Sequence, residues 1–141
     1  MNKQIIYKNK EVTFYANTNF EEYEGMTKPH IKLLLGIEIN TPSWSNMEKS
    51  FKAEDGFCLI CDKLLKELKS LINNYKETTI KIVDDLGDTD AYVNFFCEKD
   101  KIVVDLQLGS TFEPPYIQYK FEADLSLLIN LYNYINDNKN N

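Results

Sequence analysis

The chain has 141 residues, of which 43% are hydrophobic and 27% charged, which is the size and composition of one globular domain. Its formal net charge of −6 argues against nucleic acid as a direct partner, because neutralising phosphates requires clustered lysine and arginine. No apolar run is long enough to span a membrane or form a signal peptide, and three cysteines suit a reducing compartment. We therefore expect a single cytoplasmic domain over 1–141, with a frayed tail at 136–141 and no membrane contact.

The first 53 residues predict strands. Apolar side chains alternate with polar ones over 12–16, and a turn before them can close a hairpin with 5–7. The polar stretch 17–28 predicts a loop. Alternation over 31–39 predicts a long strand, and 44–53 predicts another.

One amphipathic helix is expected in the middle of the chain. From Phe57 to Ile72 the apolar residues recur at spacings of three and four, which places them on one face of a helix. Asp55 can cap its start, and Asn73 lies at its end.

The second half predicts four more strands and a last helix. Segments 80–82, 91–97, 102–108 and 117–122 are strand-like, and their short connections indicate an antiparallel meander. A helix that is apolar on most sides then starts near Asp124. The order strands, helix, strands, helix predicts an α+β fold with two amphipathic helices on an antiparallel sheet, and the sequence shows no internal repeat.

Cys58 and Cys61 form a C-x-x-C pair, which can indicate redox or zinc chemistry. The residues between them are apolar and Cys61 falls on the core stripe, so packing is the favoured interpretation. Zinc needs two further ligands, and Cys97 and His30 lie far away in sequence. His30 has no nucleophile motif beside it, so we expect a non-enzymatic protein without metal or cofactor.

Two acidic groups are candidate partner-binding sites. Carboxylates crowding one turn can hold a cation, form a solvated turn or make an acidic contact surface. Three glutamates around a tyrosine in the first long loop suggest an aromatic anchor with a charged rim. The candidates are Glu21, Glu22, Tyr23, Glu24, Asp84, Asp85, Asp88 and Asp90.

Four aromatic residues lie on the outward side of their predicted strands. Their parity in the alternation is opposite to that of the core residues, so they are expected on the surface or under a helix. They are Tyr15, Tyr92, Phe96 and Tyr116.

The helix pattern Phe57…Leu64-Leu65…Leu68, the strands that follow it, and the ending 119–128 together resemble bacterial immunity proteins of the WapI type. The likeness spans about 31–135. It implies a non-catalytic antidote that binds a toxin domain, often a basic nuclease, which an acidic protein would complement.

Two alternatives stay open at this stage. The nearly all-apolar last helix would suit a self-associating regulatory domain, forming a homodimer through that helix. The C-x-x-C pair would suit a redox protein.

Overall fold

The computed structural model describes residues 3–19, 30–40, 51–74, 79–85, 87, 89–109 and 116–139. In these ranges the chain forms strands and helices in the order β1 (Gln4–Lys8), β2 (Val12–Asn19), β3 (His30–Ile39), β4 (Phe51–Ile60), α1 (Cys61–Asn73), β5 (Ile80–Val83), β6 (Tyr92–Glu98), β7 (Lys101–Leu108), β8 (Ile117–Ala123) and α2 (Ser126–Asn138).

The strands form two four-stranded antiparallel sheets, β1-β2-β3-β4 and β5-β6-β7-β8, each in sequence order. Each sheet is followed by one helix, so the chain consists of two β4α units. This confirms the α+β class and the meander of the second half. The structural repetition itself was not visible in the sequence, because the two units share a strand pattern rather than matching residues.

The inner faces of the two sheets pack against each other and form one continuous core. Phe14 of β2 stands at the centre, with its ring centroid 6.4 Å from that of Phe95 and 6.3 Å from that of Phe121. All three side chains are at least 93% buried. Their alternation with polar residues is what assigns one face of each strand to this core.

Helices α1 and α2 contact each other and reach across the two units. Helix α1 lies against β4 and β5, and α2 lies against β1 and β2. The Asn130 amide donates a hydrogen bond of 2.9 Å to the carbonyl oxygen of Ile6, which fixes α2 on β1. Four α2 side chains are buried, Leu127, Leu128, Leu131 and Ile135.

Packing within the chain accounts for the four buried α2 side chains, whereas Ile129 on the same helix is 40% exposed. A homodimer through this helix stays a prediction. None of the helices in the described ranges is long and apolar enough to cross a bilayer.

The boundary between β4 and α1 differs from the sequence prediction. Strand β4 continues to Ile60 and α1 begins at Cys61, four residues after the predicted start at Phe57. Phe57 instead pairs with Leu33 of β3. Asp55 does not cap the helix; its carboxylate accepts hydrogen bonds from the Gly56 amide and the Thr89 hydroxyl, each at 2.9 Å.

The ends of two other elements also shift. Strand β2 includes 17–19, which were expected in a loop, while the remainder of that loop and 44–50 lie outside the described residues. Helix α2 extends to Asn138, so 136–138 are helical rather than frayed. The N-cap of α2 is Leu125, without a side-chain capping bond, and the predicted cap Asp124 lies one residue earlier, where its carboxylate accepts from the Ser126 amide at 2.9 Å.

Candidate functional site

Three of the acidic candidates fall within the described residues, and one of them, Asp84, is buried. Asp84 and Asp85 lie at the end of β5, next to the open edge of β4. Asp90 is exposed before β6. Residues 21–24 and Asp88 lie outside the described ranges.

Asp84 and Asp85 form hydrogen bonds to the backbone of β4. Asp84 is buried, and its carboxylate accepts a 2.6 Å hydrogen bond from the backbone amide of Cys58. The Asp85 carboxylate accepts from the Ile60 amide at 3.2 Å, and the Asp85 amide donates to the Cys58 carbonyl at 2.9 Å. These bonds occupy the edge of β4 and attach the second sheet to the first.

Cys58 and Cys61 are both buried, at the end of β4 and the start of α1. Burial raises the pKa of the Cys61 thiol, and the nearby Asp62 carboxylate raises it further. A raised thiol pKa is the opposite of what redox chemistry requires, so the packing interpretation is favoured. Within the described ranges no cluster of three or more His, Cys, Asp or Glu residues could hold a metal ion.

Tyr15 lies on the outer face of the first sheet, yet it is 96% buried. Its ring lies across Gly36, and its hydroxyl donates a 2.9 Å hydrogen bond to Glu54. The Lys3 ammonium lies 4.6 Å from the ring centroid. This aromatic side chain is therefore part of the sheet surface rather than available to a ligand.

The outer face of the second sheet carries accessible aromatic rings. Tyr92 and Phe96 both project outward from β6 and are half-buried, and Tyr116, just before β8, is 39% exposed. The opposite parity of β6 carries Val93 and Phe95, which are fully buried. The outward parity predicted for Tyr92 and Phe96 is thus confirmed. We call the outward side chains of β5–β8 the aromatic face.

Each of the two β6 rings has a lysine above it. The Lys81 ammonium of β5 lies 5.9 Å from the Tyr92 ring centroid. The Lys120 ammonium of β8 lies 5.7 Å from the Phe96 ring centroid. Both lysines are exposed. These are cation–π distances, which shows that the rings present their faces to solvent-side groups.

Between the two rings runs a polar row across all four strands. The register pairs Lys81 with Asn94, Asn94 with Asp105, and Asp105 with Lys120. The Asn94 side-chain oxygen is buried and has no hydrogen-bond partner in the part of the chain that the structure describes. A second polar row pairs Tyr92 with Gln107 and Gln107 with Gln118.

The second row is joined by side-chain hydrogen bonds. The Tyr116 hydroxyl donates to the Gln107 side-chain oxygen at 3.2 Å, and the Gln118 amide donates to the Tyr92 hydroxyl at 3.4 Å. The Gln107 amide donates to the Asp90 carbonyl at 3.2 Å. Phenol and amide groups are therefore held in place beside the Tyr92 ring.

The aromatic face has no excess of charge. Its three lysines are balanced by three carboxylates, and one of each, Lys101 and Glu122, form an ion pair at 3.1 Å. The remaining charged residues are Lys81, Lys120, Glu98 and Asp105. A shallow groove of about 760 Å³ beside β8 is more acidic, since Glu11, Glu98 and Glu122 line it with only two lysines. Lys120 is one of these two lysines and lies among the groove's carboxylates, whereas Lys81 does not line the groove.

The amides and lysines of this face were not identified as site residues from the sequence. The available signal was their parity, because the residues that alternate with the core of β5–β8 include two aromatics, three lysines and three amides. Recognising these residues as one site also requires the strand register, which places them in rows across the sheet.

No protein-family model matches the sequence, and no curated protein matches it either. Solved structures with a similar fold do exist. The chain is similar to WHY1 from Arabidopsis thaliana, with a TM-score of 0.58 and 12% identity over 96% of this chain and 81% of that one. It is also similar to WHY3 from Arabidopsis thaliana, with a TM-score of 0.53 and 13% identity over 97% and 85% of the two chains.

A third similar structure is that of the plant transcriptional regulator PBF-2, with a TM-score of 0.51 and 11% identity over 95% of this chain and 79% of that chain. At these identities the likeness establishes the fold alone.

The structural neighbours contradict two predictions from the sequence. The prediction of an immunity protein bound to a toxin is wrong, because the neighbours are plant WHY and PBF-2 proteins. The exclusion of nucleic acid as a direct partner is wrong as well, because one of these neighbours is a transcriptional regulator. The physical reason for the second error is that a net charge of −6 describes the whole chain and not one face of it.

Proposed function

We propose that this protein binds single-stranded nucleic acid on the aromatic face of its second sheet and performs no chemistry on it. The observation that carries the proposal is the pair of outward rings, Tyr92 and Phe96, on one strand of a sheet face with a lysine over each ring. Four-stranded sheets with surface aromatics are a recurrent platform on which bases stack.

The spacing of the rings favours an unpaired strand. Tyr92 and Phe96 are four residues apart on β6, which is about 14 Å along a strand. Bases in a duplex are stacked about 3.4 Å apart and turn their edges, not their faces, outward. Only a strand whose bases can splay apart offers free faces to both rings.

Magnitudes support stacking as the main source of affinity. A base stacked on an aromatic side chain contributes about 1–3 kcal/mol. Phosphate contacts add less here, because only two lysines of the aromatic face, Lys81 and Lys120, are not ion-paired with its carboxylates. The similarity to a plant transcriptional regulator supports nucleic acid as the class of ligand. A cytoplasmic location remains part of the proposal and suits the buried thiols of Cys58 and Cys61.

The test is fluorescence anisotropy with labelled 20-nucleotide strands of mixed sequence, as DNA, as RNA and as DNA duplex. We expect binding to single strands and much weaker binding to the duplex, and the DNA and RNA arms identify the preferred sugar. Tyr92→Leu and Phe96→Leu should each weaken binding by about 5- to 150-fold, since leucine keeps the apolar cover of the sheet and removes the ring face.

Phe51→Leu is the matched control. Phe51 is an aromatic on β4 of the first sheet and is 58% exposed, so its loss should leave binding unchanged. Duplex bound as tightly as single strands, or an equal loss of binding in the Phe51 variant, would refute the proposal.

A further inference from the structure

The side-chain oxygen of Asn94 lies at the centre of the aromatic face and has no hydrogen-bond partner among the described residues. Asn94 projects outward from β6 between Tyr92 and Phe96, so it lies midway between the two rings. A buried acceptor without a partner destabilises a protein, by more than an ordinary hydrogen bond contributes. Such a group at the middle of a binding surface is one that a ligand donor would satisfy.

We infer that Asn94 is a specificity-determining residue that accepts a hydrogen bond from the exocyclic amino group of a base stacked beside it. This inference rests on the proposed function. Adenine, cytosine and guanine carry such an amino group, whereas thymine presents carbonyl oxygens at the corresponding positions. The site should therefore prefer strands whose bases have an exocyclic amine.

Two lysines, Lys81 and Lys120, lie in the same polar row as Asn94. Lys81 is its register partner, and the Lys81 ammonium lies over the Tyr92 ring, while the ammonium of Lys120 lies over the Phe96 ring. A base stacking on either ring takes the place of the ammonium. The exchange is favourable, because base stacking contributes more than an exposed cation–π contact.

The displaced lysines remain useful to the complex. Their side chains are exposed and flexible, so each ammonium can turn from the ring to a backbone phosphate of the same strand. Lys81 is also the register neighbour of Asn94 on β5, so we expect its movement to open the side of Asn94 that faces β5. Stacking, phosphate contact and reading of the amino group are thus linked in one event.

Oligo-dC and oligo-dT of equal length provide the sharpest test. Both are pyrimidine strands, and they differ at C4, where cytosine has an amino group and thymine an oxygen. We expect the wild-type protein to bind oligo-dC about tenfold more tightly, the effect of one hydrogen bond to an acceptor that otherwise lacks a partner. Asn94→Leu should reduce oligo-dC affinity to that for oligo-dT and leave oligo-dT affinity unchanged.

A second readout does not involve ligand. Because Asn94→Leu removes a buried acceptor and keeps the side-chain volume, the variant should be at least as resistant to urea as the wild type. Asn17→Leu is the matched control, an outward asparagine on β2 of the first sheet, and it should alter neither preference nor oligonucleotide affinity.

The outcomes separate the inference from the function on which it rests. Equal binding of oligo-dC and oligo-dT overturns the role of Asn94 and leaves the stacking surface intact. A preference for oligo-dT that Asn94→Leu abolishes also overturns it, since the amide nitrogen would then be the reading atom. No binding of either strand overturns the proposed function together with the inference.

Discussion

Tyr15 shows how one cross-strand residue pair determines whether an aromatic ring on a sheet face is available to a ligand. Its partner in the register is Gly36, and a Cβ atom built at position 36 would lie 2.2 Å from Cζ of the tyrosine ring. The absence of a side chain at Gly36 is therefore what lets the ring lie flat on the sheet. Burial, followed by the hydrogen bond to Glu54, raises the pKa of Tyr15 well above its ordinary value.

Gly36→Ala should destabilise the protein by about 1–3 kcal/mol, because the added methyl group displaces the Tyr15 ring and its bond to Glu54. Urea denaturation measures the change. Gly56→Ala is the control, since the nearest atom to its Cβ would be Cε of Lys32 at 3.0 Å, the end of a flexible side chain. Equal losses in the two variants would show that the ring position is not what requires Gly36.

Parity in the sequence placed Tyr92 and Phe96 correctly on the surface and could not separate them from Tyr15. All three alternate with core residues, so the pattern is the same. What distinguishes Tyr15 is the glycine opposite it on β3, twenty-one positions away. Such a pairing is fixed by strand register, which one strand's own alternation does not determine.

At the scale of elements, the clearest error was the start of α1. Phe57, Ile60 and Cys61 have helical spacing with the leucines that follow, so the helix pattern extends backwards into β4. The same segment pairs with β3 over ten residues, from His30 opposite Ile60 to Ile39 opposite Phe51. Tertiary pairing therefore overrides a local pattern that fits both structures.

The edge of β4 yields an element-scale prediction. Asp84→Ala should lower the free energy of unfolding by about 1–3 kcal/mol, because the buried Cys58 amide loses this acceptor. Asp84→Asn should lose less, since its side-chain oxygen can still accept.

Asp90→Ala serves as the control for this edge. Its carboxylate is exposed, and a surface change of this kind should alter stability by less than about 0.5 kcal/mol. If the Asp84 and Asp90 variants unfold at the same urea concentration, the acidic turn is merely solvated and does not secure the β4 edge.

At the scale of the whole molecule, with its net charge of −6, we expect a particular dependence of nucleic-acid binding on salt concentration. If Lys81 and Lys120 supply the phosphate contacts, the logarithm of the binding constant should fall with the logarithm of salt concentration with a slope of about −1.4. Lys81→Gln with Lys120→Gln should bring the slope close to zero. Lys66→Gln, on the exposed side of α1, should leave it unchanged.

Anisotropy titrations from low to moderate salt measure this slope. A slope several times steeper would place most phosphate contacts outside the aromatic face.

The α+β class and the order of elements could be predicted from the sequence, whereas the arrangement in two sheets could not. Each strand and helix has its own local pattern, as in the alternation over β7. No local pattern predicts which sheet faces pack against each other, because Phe14 contacts Phe95 and Phe121, which are more than eighty positions away in sequence. Packing of one β4α unit on the other depends on the assembled faces and not on any segment alone.

The hydrogen bond between Asn130 and the Ile6 carbonyl joins α2 to β1, so it can form only after α2 has been synthesised. Synthesis releases β1 first and α2 last, so the first strand must wait for the final helix before its contacts are complete. Long-range closure of this kind slows folding. A ribosome-bound chain that ends before α2 lacks the helix that packs on β1. The apolar surface that α2 would cover is then exposed, and such surfaces bind chaperones.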